Sequence, residues 1–168
     1  CGAMCRDYAH LLADDPQWAS RAAAFSAKVR DVSELLVAAG PKRGSAGPQA
    51  IAVAWDAPCH LEHAQRIVDP PLALLRATAG VELKPLADSN QCCGSAGIYN
   101  LVQPDVAARV LAPKLARIHE SGAAVVATAN PGCLMQIGGG LVAAGAATSA
   151  RHPVELLDAT YARARQTD

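Results

Sequence analysis

Short aliphatic runs alternate with helical patterns along most of this chain, and that alternation restricts the fold more than any other feature. Residues 51–55 form an apolar run that stops at Asp56-Ala57-Pro58-Cys59-His60. Residues 81–86 form a second, weaker run and residues 124–128 a third. Each has the length expected of a buried strand. Between the first two, Pro70-Pro71 opens a helix carried by Leu72, Leu75 and Ala79 and closed by Gly80. Val106, Val110, Leu111, Leu115 and Ile118 mark a helix over 105–121, stopped by Gly122 and expected to kink at Pro113. Asn130-Pro131-Gly132-Cys133 turns from the third strand into another helix, and Pro153 begins a last one through Val154, Leu157 and Tyr161. Strands alternating with helices predict an α/β fold, a small parallel sheet with helices on both faces. Three strands are legible; a fourth is either hidden or missing.

Ahead of the sheet, Asp15-Pro16 reads as a cap and a first helical residue. Trp18, Ala22, Phe25, Val29, Val32, Leu35 and Leu36 then recur at helical spacing, predicting one amphipathic helix that ends near Gly40. The Gly- and Pro-rich stretch that follows is the best boundary in the chain. The expected division is a helical segment 1–40, a linker 41–50 and an α/β domain 51–168. A length of 168 residues suits one core plus an appendage. Residues 122–150 carry no charge, which is long enough for a membrane span. Asn130-Pro131-Gly132 and Gly138-Gly139-Gly140 interrupt that stretch, so a buried strand followed by a buried helix accounts for it better. Fifteen basic residues balance fifteen acidic ones with no basic run, which argues against nucleic acid as a partner. The chain opens at Cys1 without an initiator Met, and Cys1-Gly2-Ala3-Met4-Cys5 reads as the middle of a motif, so further sequence is expected before it.

Four cysteines fall just past the predicted strands: Cys59 after the first, Cys92 and Cys93 after the second, Cys133 after the third. In a parallel sheet the loops at the carboxyl ends converge on one edge, where ligands sit. The four thiols are therefore expected to meet. Disulfides fit poorly, because adjacent cysteines do not readily bridge each other and the aliphatic core needs no staple. Buried inert cysteine is the blander account. Metal binding is the sharper one, since thiolates suit zinc or iron–sulfur clusters. Gly94 and Gly132 are expected to let backbone amides approach the sulfurs and so tune such a centre. Adjacent Cys92 and Cys93 suit a multi-iron cluster better than one tetrahedral zinc, although His60 and His63 beside Cys59 keep zinc open. His10, His119 and His152 lack ligand-like spacing.

The segments Asp56-Ala57-Pro58-Cys59-His60, Gln91-Cys92-Cys93-Gly94-Ser95-Ala96-Gly97 and Asn130-Pro131-Gly132-Cys133-Leu134-Met135-Gln136 resemble the cysteine-rich CCG domain. That family includes a component of heterodisulfide reductase, lactate-utilisation proteins and anaerobic glycerol-3-phosphate dehydrogenase. Ser95-Ala96-Gly97-Ile98-Tyr99-Asn100 and Asn130-Pro131-Gly132-Cys133 are most similar in wording to glycolate oxidase iron–sulfur subunits. The resemblance implies that Cys59, Cys92, Cys93 and Cys133 ligate an iron–sulfur cluster. A 4Fe–4S cluster is the first expectation; Gln136 stands where the family's last cysteine would be, which leaves 2Fe–2S or zinc open. It further implies electron transfer from a partner flavoprotein that oxidises glycolate towards a quinone, in the cytoplasm at the inner face of the membrane. This chain would be a subunit of an oxidoreductase, inactive by itself. The alternatives are the same role in a lactate, glycerol-3-phosphate or heterodisulfide complex, or a zinc-stabilised docking domain without redox function. The family usually carries two such domains in tandem. Cys1-Gly2-Ala3-Met4 resembles Cys133-Leu134-Met135-Gln136, and Ser33-Glu34-Leu35-Leu36 resembles Val154-Glu155-Leu156-Leu157, so residues 1–40 would be the tail of a preceding copy.

Overall fold

In a computed structural model describing residues 1–42 and 44–167, four short strands lie side by side, all parallel. They are β1 (Ile51–Asp56), β2 (Val81–Lys84), β3 (Val125–Thr128) and β4 (Ser149–Arg151), in the order β2-β1-β3-β4. Val53 of β1 pairs with Leu83 on one side and Val125 on the other. Parallel strands need crossovers, and helices supply them. Between β1 and β2 run α4 (Cys59–Gln65) and α5 (Asp69–Ala77); between β2 and β3, α6 (Tyr99–Val102) and α7 (Pro104–Glu120). Between β3 and β4 runs α8 (Pro131–Ala143), and α9 (Pro153–Thr167) follows β4. The fourth strand is a three-residue edge whose only apolar side chain is Ala150, too short and too exposed to leave a hydrophobic run.

Successive residues of a strand point to opposite faces, and β3 divides accordingly. Val125 and Ala127 join Val53, Trp55, Leu61 and Leu75 in one core cluster, beneath α4 and α5. Val126 joins Leu111, Ile118, Ile137 and Leu141 in the other, beneath α7 and α8. The sheet is therefore covered on both sides. The uncharged stretch 122–150 resolves into β3, α8 and β4, and among the described residues no helix is long and apolar enough to cross a membrane.

Three helices precede the sheet: α1 (Gly2–Leu11), α2 (Ala19–Ser26) and α3 (Val32–Ala39). The single helix expected up to Gly40 is thus two, and the break has a local cause. Asp31 accepts a hydrogen bond from the Ser33 amide, while Glu34 accepts one from the Asp31 amide, a capping box that starts a new helix. Asp15 does accept bonds from the amides of Gln17 and Trp18, but the chain turns there and α2 begins only at Ala19. α7 runs through Pro113 as one helix; Pro113 and Arg109, whose carbonyl loses a donor there, both face solvent.

The N-terminal helices pack on the sheet domain. Arg6 bridges the Glu34 carboxylate at 2.8 Å and the Gln65 carbonyl at 3.2 Å, and α3 lies against α5. Of the expected linker 41–50, Arg43 lies outside the described residues. Ser45 of that segment donates to the Thr160 carbonyl at 3.0 Å and accepts from Arg163 at 3.1 Å, which ties the segment along α9.

Candidate metal centre

The strand order places the loops after β1 and β3 next to each other, while their helices depart to opposite faces of the sheet. This divergence leaves a crevice at the carboxyl ends. Cys59 opens α4 directly after β1, and Cys133 lies in the first turn of α8 directly after β3. Asn130 caps α8, its side-chain oxygen accepting from the amides of Gly132 and Cys133 at 2.9 and 3.2 Å. The loop from β2 carries Cys92 and Cys93 to the same edge.

Two sulfurs meet there. Cys93 and Cys133, 3% and 6% exposed, share an S–H···S hydrogen bond with 2.8 Å between Sγ atoms. Cys59 is half-buried and Cys92 exposed. Cys59 is near enough to Cys92 and Cys93 for their charges to act on it, and Cys133 feels both Cys93 and Cys59. The four thiols predicted to converge therefore form one electrostatic group, with one pair in contact.

That pair divides a proton unequally. The hydrogen bond from Cys133 draws Cys93 down to about 7, helped by the Ser95 amide and opposed by burial. Holding the shared proton, and buried beside negative charge, Cys133 is pushed well up. Burial also raises Cys59, and the Cys92 and Cys93 sulfurs add to it.

The two glycines serve differently from one another. Gly94, at φ +85°, donates its amide to Cys92 Sγ at 3.3 Å, and a Cβ there would stand 2.5 Å from the Ala107 carbonyl oxygen. The amide of Gly132 instead goes to Asn130, and a Cβ there would meet Ser95 Oγ at 2.8 Å. Gly132 thus allows close packing of the two loops and gives no hydrogen bond to sulfur, which corrects the sequence expectation. The amides that favour thiolate are those of Ser95, on Cys93, and His60, on Cys59. Ala96 adds strain to the same loop with φ +40°, a conformation costly for a residue with a Cβ.

Beneath the sulfurs lies a charged pair that sequence reasoning missed. Lys114 of α7 and Asp56 at the end of β1 are 0% and 1% exposed, with Nζ 2.7 Å from Oδ1. Oδ1 makes no well-aligned hydrogen bond, so charge holds the contact; Oδ2 accepts from Thr128 Oγ1 at 2.8 Å. Burial pushes the Asp56 carboxyl up more than Lys114 and Thr128 bring it down. Gln136, the residue in place of the family's last cysteine, accepts from Asn100 Nδ2 at 2.9 Å and so ties α8 to α6.

Cys1, just before α1, is exposed. With His60, Asn130, Pro131 and His152 it lines a cavity of about 330 Å³ between α1 and the carboxyl edge, and Cys5 lines a neighbouring groove. His60 and His63 are exposed on α4.

Could these residues hold a metal group? Two thiolates on one tetrahedral zinc, at about 2.3 Å each, stand about 3.8 Å apart. Cys93 and Cys133, at 2.8 Å, are closer than that and must part by about 1 Å to bind a metal. Among the described residues no three His, Cys, Asp or Glu side chains are grouped as ligands of a single ion. Ligands of a multi-iron core each bind a different iron and need not crowd one point. Four soft donors, each beside a crevice and three met by backbone amides, fit such a core by their chemistry.

The family description "Cysteine-rich domain" (CCG) matches residues 53–138, just over half of the chain. The chain belongs to the CCG cysteine-rich domain family. The matched stretch contains all four thiols of the CCG edge, together with Asp56, Lys114 and Thr128. A probable glycolate oxidase iron-sulfur subunit of Bacillus subtilis is 39% identical over 140 residues, covering 82% of this chain and 31% of that protein. Lactate utilization protein A of Shouchella clausii is 30% identical over 158 residues, covering 94% of this chain and 66% of that protein. Its namesake from an Exiguobacterium strain is 34% identical over 158 residues, covering 94% and 64%. The CCG chain therefore spans less than two thirds of the length of these relatives.

Proposed function

We propose that this chain is the iron–sulfur electron-transfer part of a glycolate-oxidising complex, with Cys59, Cys92, Cys93 and Cys133 as the cluster ligands. The observation that carries this reading is the convergence of four thiols from three separate strand ends, two of them in contact, in a chain 39% identical to a glycolate oxidase iron-sulfur subunit over 140 residues. When bound there, an iron–sulfur cluster supplies one-electron acceptance and release. The chain's residues do the rest. Cys93 and Cys133 set the buried side of the site, and Cys92 the side nearest solvent, where a partner can approach. The amides of Ser95 and His60 stabilise negative charge on Cys93 and Cys59, and that of Gly94 donates to Cys92 Sγ. Electrons would enter from a flavoprotein subunit that takes a hydride equivalent from glycolate and leave towards a quinone, the complex lying in the cytoplasm against the membrane's inner face.

Purification under anaerobic conditions tests the reading. A brown protein with iron, sulfide and charge-transfer absorption is expected, and Cys93→Ser is expected to bleach it. A colourless protein with one zinc per chain would overturn it. Lactate is the second substrate reading, supported by relatives that match 94% of this chain. With the partner flavoprotein present, reduction of the cluster by glycolate and not by lactate separates the two.

A further inference from the structure

The chemistry assigned so far uses sulfurs and amides and leaves the buried ion pair without a part. An ammonium has three N–H donors, and three oxygens stand within reach of Lys114 Nζ. These are Asp56 Oδ1 at 2.7 Å, the Ser89 carbonyl at 2.9 Å and the Asp88 carbonyl at 3.2 Å. Asp56 precedes Cys59 by three residues, and Asp88 and Ser89 precede Cys92 by four and three. Thr128, bonded to the other oxygen of Asp56, precedes Cys133 by five. All three cysteine-bearing segments thus meet at one ammonium–carboxylate pair. At about 3.3–3.6 Å of chain per residue the tethers are short, so shifting the knot shifts the sulfurs.

Packing alone gives no reason for a lysine here. A well-packed apolar side chain fills such a place at less cost than a buried charge pair. What it cannot do is bind two carbonyls of an irregular loop in which Asp88 itself has φ +52°. The Ser89 carbonyl also accepts the Ala57 amide at 3.0 Å, which joins the same loop to the end of β1.

We propose that Lys114 is the positioning residue of the thiol site: its ammonium clamps the Asp88 and Ser89 carbonyls against Asp56 and so holds Cys92 and Cys93 in place beside Cys59 and Cys133. The proposal rests on the reading of the four thiols as one ligand set, and the experiment separates the two. In the metal-free full chain, diamide removes two electrons and two protons from Cys93 and Cys133 and joins them as a disulfide. Mass spectrometry of the linked peptides gives the rate. The variant Asp56→Asn/Lys114→Met keeps the space filled and leaves no buried charge unpaired.

The double variant is expected to keep the wild-type circular dichroism and a cooperative melt, yet to pair Cys93 with Cys133 at least about tenfold more slowly, since displacements near 1 Å have effects of this size on proximity-driven reactions. After loading with iron and sulfide, its reduction potential and paramagnetic resonance spectrum are expected to differ from wild type. Wild-type pairing rate and potential in the double variant would overturn the proposal. Should that variant fail to fold, Asp56→Asn/Lys114→Gln decides, because it removes the three-donor ammonium while keeping a polar group at each place: pairing about tenfold slower supports the clamp, and a wild-type rate overturns it. A wild-type chain that takes up no iron ends the cluster reading, while the pairing rates still decide whether Lys114 places the thiols.

Discussion

Cys93 and Cys133 share a proton across 2.8 Å and so titrate as a pair. The first ionisation, at about 7 against an ordinary 9.0, places the thiolate on Cys93. Between those values the unfolded chain still holds a proton that the folded chain has released, so stability of the metal-free protein rises with pH in that window. By linkage the gain is of order 2 kcal/mol. Above 9.0 the raised Cys133 and Cys59 reverse the trend, because the unfolded thiols ionise first. Urea melts at stepped pH should show the rise, and Cys133→Ala should flatten it. Lys114→Met alone is expected to cost about 3–5 kcal/mol, since it strands the Asp56 carboxylate in the interior, whereas adding Asp56→Asn should recover much of that loss. Gly94→Ala forces a Cβ against the Ala107 carbonyl at positive φ and should lower stability by about 1–3 kcal/mol in the same assay. The cysteines were legible from their places after the strands, but Lys114 was not. Yet it had a signature: Ala107, Leu111, Lys114 and Ile118 form the buried stripe of α7, and a charge on such a stripe needs a partner.

At the level of elements, the apolar spacing was right about helices and silent about where one stops. Val29 and Val32 continue the phase of Trp18, Ala22 and Phe25 across the break between α2 and α3, so periodicity could not show it. The capping box could, because Asp31 and Glu34 have the spacing of an N-terminus. Asp31→Ala is expected to destabilise the N-terminal helices by about 1 kcal/mol, read as a loss of helical circular dichroism at lower urea. β4 was invisible for the opposite reason. An edge strand of three residues needs no apolar run, and only its pairing with β3 reveals it.

For the molecule as a whole, alternation of strand and helix carried the topology, and the topology carried the site. Convergence of Cys59, Cys92, Cys93 and Cys133 on one edge was legible because parallel strands end together. The 2.8 Å approach of Cys93 to Cys133 was not, because it depends on how two loops pack, down to Gly132 against Ser95. The apolar cluster of Val53, Trp55, Leu75 and Val125 includes none of the four thiols, and the other packs Leu111, Ile118, Val126, Ile137 and Leu141 around Cys93 and Cys133. Stripping iron with a chelator should therefore leave far-ultraviolet circular dichroism and a cooperative melt, with a lower midpoint. Complete unfolding on chelation, as in small zinc-dependent domains, would contradict this.

The thiols are scattered across 74 positions of the polymer, from Cys59 to Cys133, and no local stretch contains more than two of them. A nascent chain emerging from the ribosome has no socket to fill until β3 has docked beside β1. Assembly of a cluster on these four ligands would therefore have to follow folding, since before it only the neighbouring sulfurs of Cys92 and Cys93 are held together.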